Sequence, residues 1–219
     1  MITHFQRRKV LRLFNLLDLT GDGVVEYQDF VEHARAVRRE AGWDEEDPRY
    51  LRLLASRRKV WSEFQGRVDE NSDGVITLEE WLAFFSTVEA RSTEGQTPPW
   101  TAEIRRQLYS SIDLDRDGQI TREEYRFFTR AVGIQSDPDA LFDSIDREGE
   151  DFLSEADFDR LFDEWLLGKE PKRPGSYFLV GWFDDTPEEA KARREPRAAG
   201  GQAAKARQPE SGNGASGEG

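Results

Sequence analysis

Four acidic stretches of twelve residues place oxygen-bearing side chains at matching offsets along this chain. They are DLTGDGVVEYQD from Asp18, DENSDGVITLEE from Asp69, DLDRDGQITREE from Asp113 and DREGEDFLSEAD from Asp146. Oxygen donors at positions 1, 3, 5, 9 and 12, joined by a backbone carbonyl at position 7, can fill the roughly six to eight coordination positions of a hard cation such as Ca2+. One such stretch is a weak signal, because lone acidic turns occur in unrelated folds. The repetition, always between amphipathic segments, makes the signal strong.

The second stretch (69–80) fits best. Asp69, Asn71 and Asp73 occupy positions 1, 3 and 5, and Gly74 supplies the sharp turn at position 6. Val75 offers its carbonyl, Thr77 acts through water, and Glu80 is long enough to bind with both oxygens. The third stretch (113–124) repeats this with Asp113, Asp115, Asp117, Gln119 (backbone), Thr121 and Glu124, and carries one more formal charge. The first (18–29) offers Asp18, Thr20, Asp22, Val24 (backbone) and Glu26, but ends on Asp29, one methylene shorter than glutamate. Bidentate contact is then harder, so six-fold coordination, weaker calcium binding and tolerance of Mg2+ are expected there. In the fourth (146–157), Glu148 and Glu150 are bulky, Asp151 replaces the turn glycine and Asp157 is again short. Its expected role is structural. The expected cofactor is Ca2+, at two strong sites and one weaker site that also takes Mg2+.

Helices must position these loops. Val10, Leu13, Phe14 and Leu17 recur at i, i+3, i+4, i+7 ahead of the first loop, as do Leu78, Trp81, Leu82 and Phe85 after the second and Phe158, Leu161, Phe162 and Trp165 after the fourth. Asp47-Pro48 and Asp137-Pro138 read as an N-cap followed by a proline at the first helical position. The aliphatic residues at position 8 (Val25, Ile76, Ile120, Leu153) are spaced to pair, strand-fashion, between neighbouring loops. The pattern predicts a compact all-α fold of two pairs of helix–loop–helix units, with short β-bridges between paired loops. RSTEGQTPPW divides an N-terminal pair (1–90) from a C-terminal pair (100–168). YFLVGWF, within an apolar segment over 169–183, either caps a cleft between the halves or packs locally on the fourth unit. From Asp184 to Gly219 the Ala/Gly/Glu/Arg-rich chain lacks periodicity and is expected to be disordered.

Composition narrows the function. The 219 residues carry a net charge of −13, which disfavours nucleic acid as a partner, and 11% of them are aromatic, which argues for a packed core. There is no cysteine and there are two histidines, which exclude Cys-ligated metals and argue against a His-rich site. No apolar run approaches the ~20 residues that span a bilayer. The N-terminal QRRKVLRLFNLL is interrupted by Arg12 and Asn15, so it reads as an amphipathic helix rather than an export signal. A cytoplasmic monomer follows as the expectation. No nucleophile motif, phosphate loop or zinc signature points to an enzyme.

On these loops the chain resembles an EF-hand protein. The four-unit layout, the central linker and the apolar C-terminal segment resemble the sarcoplasmic calcium-binding proteins and their calerythrin-like relatives, over residues 1–183. That resemblance implies a compact four-EF-hand protein that buffers calcium, and sometimes magnesium, with one loop inactive in many relatives. The alternative is a sensor or regulatory subunit presenting a calcium-dependent surface to a protein partner. Sensors line such surfaces with flexible methionine, and this chain has one, the initiator. That favours the buffer, with no protein partner indicated.

Overall fold

Each loop caps the helix that follows it. In the second and third loops, the residues at positions 9 and 12 form a capping box, Thr77 with Glu80 and Thr121 with Glu124. Ser154 and Asp157 do the same in the fourth. A capping box satisfies two of the amide donors that a helix start leaves orphaned. The sequence pattern that gathers oxygen therefore also starts the exiting helix.

The computed structural model describes residues 2–92, 97–171 and 173–183. Helices α1 (His4–Leu17) and α2 (Tyr27–Ala41) flank the first loop, and α3 (Pro48–Val68) and α4 (Leu78–Arg91) the second. Helices α5 (Thr101–Ile112) and α6 (Arg122–Ala131) flank the third, and α7 (Pro138–Ile145) and α8 (Glu155–Leu167) the fourth. The aspartates before Pro48 and Pro138 do cap their helices: Asp47 accepts from the Arg49 amide at 2.8 Å and Asp137 from the Ala140 amide at 2.8 Å. The sequence expected from 184 onward to be disordered lies outside the described residues.

Three-residue strands cross-link the loops in antiparallel pairs. β1 (Val24–Glu26) pairs with β2 (Val75–Thr77), and β3 (Gln119–Thr121) with β4 (Phe152–Ser154). Val25 faces Ile76 and Ile120 faces Leu153, all four side chains fully buried. Burying alternate residues fixes the register, because a slip by one would turn the aliphatic residue to solvent.

A single core cluster draws on both loop pairs. Helix α2 packs on α6 as well as on α3, and α3 packs on α5. Trp81, fully buried, donates its indole N–H to the Val10 carbonyl at 2.8 Å, tying α4 to α1. Leu78 departs from its expected place in the α4 stripe. It sits at the first helical position, beside the loop, and is 38% exposed.

The segment Tyr177–Phe183 enters the same core, following a short 3-10 turn at Pro174–Ser176. Phe178 packs edge-on against Phe158 of α8, and its carbonyl accepts from the Tyr125 hydroxyl of α6 at 2.6 Å. On the other side, Arg12 of α1 donates to the Val180 carbonyl at 2.9 Å, and Phe5 meets Tyr177 and Phe183 edge-on. The segment therefore touches α1 of the N-terminal pair and α6 and α8 of the C-terminal pair.

Candidate metal centre

Four loops share one backbone frame. In each, the carboxylate at position 1 accepts from the amide at position 6: Asp18 from Gly23 (3.0 Å), Asp69 from Gly74 (3.0 Å), Asp113 from Gly118 (3.2 Å) and Asp146 from Asp151 (3.1 Å). The turn needs left-handed backbone at two places, positions 4 and 6. Position 4 is Gly21, Ser72, Arg116 and Gly149 in turn, and position 6 is glycine except for Asp151, at φ 65°. Sequence reasoning singled out position 6 and missed position 4, where serine and arginine give no sign of the required conformation. Asp151 is strained there, and its carboxylate is held by Arg122 at 2.7 Å.

The position-12 carboxylate separates the first three loops from the fourth. Glu80 accepts from the Glu70 amide (3.0 Å) with one oxygen and from the Thr77 amide (2.9 Å) and hydroxyl (2.7 Å) with the other. Glu124 likewise links the Leu114 amide (2.7 Å) to the Thr121 amide (2.8 Å) and hydroxyl (2.8 Å). Asp29, shorter but fully buried, still reaches Leu19 and Thr20 (3.0 Å each) and Glu26 (2.8 Å). Each of the three thus spans the start and the end of its loop, as a residue closing around a central ion must. Asp157 contacts only the end of its loop, through the Ser154 amide at 3.0 Å and its hydroxyl. Its other oxygen pairs with Arg160, which also lies 3.9 Å from Glu148 at position 3. A guanidinium thus occupies the mouth of the fourth loop. Its sequence signal was weak: an arginine three residues beyond position 12, on the same face of α8.

The third loop passes a direct test of fit. Carboxylate oxygens of Asp113, Asp115 and Asp117 lie within 4.8 Å of one another, a span that an ion at ~2.4 Å from each can bridge. Burial, and then repulsion from Asp115 and Asp117, raise the Asp113 carboxyl above the usual range, against the amides of Arg116 and Gly118. Burial likewise raises Glu124. A divalent cation would relieve both effects. Glu80 is half-buried, and the Thr77 amide and hydroxyl lower its carboxyl. Asp73 and Asp117 accept from the amides of Val75 (3.1 Å) and Gln119 (2.8 Å), as Asp22 does from Val24 (3.1 Å). These bonds fix the backbone at Val24, Val75 and Gln119, whose carbonyls are the expected position-7 donors. The Thr77 and Thr121 hydroxyls are engaged with the position-12 carboxylates, an arrangement that suits contact to an ion through water. Among the described residues the third loop alone brings three carboxylates this close, and in the first loop the Thr20 amide donates to Asp29.

Comparison with known proteins agrees with this geometry. The family model described as "EF hand" matches residues 66–85 and 110–129, which contain the second and third loops. The chain is 26% identical over 147 residues to sarcoplasmic calcium-binding proteins I, III and IV of Branchiostoma lanceolatum, an alignment covering 66% of this chain and 80% of the relative. Among solved structures, the amphioxus sarcoplasmic calcium-binding protein superposes with a TM-score of 0.61 at 24% identity, covering 84% of this chain and 100% of that one. The coelenterazine-binding protein of Renilla muelleri gives a TM-score of 0.67 at 20% identity, covering 82% and 99%. At these identities the two structures show a shared fold.

Proposed function

We propose that this chain, an EF-hand protein similar to the sarcoplasmic calcium-binding proteins, binds Ca2+ through three loops and acts as a calcium buffer. The loops at Asp69–Glu80 and Asp113–Glu124 are the strong sites, with ligands as assigned from the sequence. The loop at Asp18–Asp29 is weaker and accepts Mg2+, because its closing carboxylate is short. The fourth loop is held by Arg160 in place of a metal and serves its partner through the Ile120–Leu153 pairing.

One observation carries the buffer reading. The apolar helix faces that a sensor would expose are already joined across the two loop pairs, α2 to α6 and α3 to α5, with Phe178 and Leu179 buried among them. Large exposed hydrophobic side chains among the described residues are scattered: Leu19, Tyr27, Leu51 and Leu78. Opening such a core would expose far more apolar surface than the helix pair of a sensor, at about 25 cal/mol per Å2. No described helix is long and apolar enough to cross a membrane, and the reading is of a cytoplasmic monomer. The test is the binding of a hydrophobic dye to chelator-stripped protein as calcium is restored. A buffer shows unchanged or falling fluorescence. A rise on calcium addition would overturn the reading in favour of a sensor.

A further inference from the structure

A cavity of about 50 Å3 lies where α1, α2, α3, α5 and α6 converge, with Leu179 of the C-terminal segment over it. Its wall is aliphatic and aromatic except for two side chains, His33 of α2 and Arg57 of α3. Both are inside the protein, 2% and 4% exposed. Nε and Nη2 of Arg57 have no hydrogen-bond partner, and neither ring nitrogen of His33 has one, although the ring lies near the Leu16 and Leu17 carbonyls.

This arrangement is costly as it stands. Buried polar groups are ordinarily hydrogen-bonded, and buried charges paired. Burial lowers Arg57 only to about 10, so it remains a cation at neutral pH, whereas burial first and then the Arg57 charge hold His33 near 3, neutral. Burial is the cause of the Arg57 shift, and no carboxylate among the described residues forms an ion pair or hydrogen bond with its Nε or Nη2. A neutral imidazole still brings one N–H. The cavity wall thus carries buried donors without partners and one positive charge, set among apolar side chains.

We infer that this cavity is an internal site for a small monovalent anion of halide size, held by the Arg57 guanidinium and the His33 N–H. Water could accept these hydrogen bonds but would leave the charge unanswered, and isolated charge is the larger cost in apolar surroundings. A dianion would exchange one excess charge for another. The volume admits a small ion together with a few waters. The inference is independent of the metal loops, since it uses none of their ligands.

Two measurements on the full chain test it. Crystals of the calcium-loaded protein grown in sodium bromide should show an anomalous peak within hydrogen-bond reach of Arg57 Nε or Nη2 and the His33 ring. Thermal unfolding at fixed ionic strength should show Tm rising with the logarithm of chloride concentration as chloride replaces gluconate, which is too large to enter. The Arg57→Met variant should lose that dependence. A cavity holding water alone, or no anomalous signal there, would overturn the proposal, as would a Tm indifferent to chloride in the parent protein. If Arg57→Met fails to fold, the bromide map of the parent decides.

Discussion

Lys9 shows how a single residue can be set by its surroundings. It is 1% exposed, and its ammonium donates to the carbonyls of Trp165 and of Gly168 (2.8 Å) at the C-terminus of α8. Helix C-termini leave carbonyls that want a donor. Burial nonetheless lowers Lys9 from 10.5 to about 7. Between those values the unfolded chain binds more protons than the folded one, so stability rises with pH there. The cost of burying the charge is present in full below pH 7. Urea unfolding at saturating calcium should therefore show the protein on the order of 1–2 kcal/mol more stable at pH 9 than at pH 7. The Lys9→Met variant should show a flat profile over that range; the same rise in the variant would assign it to another group. The sequence did not reveal this lysine, because a basic residue on an amphipathic helix is ordinarily solvated. The acidic offsets at positions 1, 3, 5 and 12 were legible because each residue type there must supply oxygen. The Arg160 contact in the fourth loop was not, because an exposed arginine on a helix has many acids within reach.

Elements were the most readable level. The Asp-Pro starts of α3 and α7 follow from local chemistry, as do the capping boxes and the facing of Val25 with Ile76 and of Ile120 with Leu153. Such features need only neighbours in sequence or the period of a strand. The segment Tyr177–Phe183 is different. Its apolar character was plain, but its partners lie more than a hundred residues away on α1 as well as nearby on α8. Phe178 is 1% exposed at the centre of these contacts. Phe178→Ala should destabilise the protein by about 3–5 kcal/mol, the usual range for emptying an aromatic site in a core. Denaturant titration measures this. A loss below about 1 kcal/mol would mean that the segment lies on the core without anchoring it.

At the scale of the whole molecule, helix periodicity tells which face is apolar and leaves open which helix it will meet. The packing of α2 on α6 and of α3 on α5 was therefore not legible, and neither was the cavity they enclose. Those contacts turn four loop units into one body, and they underlie the proposed choice of buffering over sensing. On the proposed reading that body holds the oxygen-lined loops in place, so the direct test is calorimetric titration of the chelator-stripped full chain with calcium, with and without millimolar magnesium. The account predicts two strong binding events and one weaker event that magnesium suppresses, with Glu80→Gln and Glu124→Gln each deleting one of the strong pair. Absence of any heat on restoring calcium, or titrations that both variants leave unaltered, would contradict it.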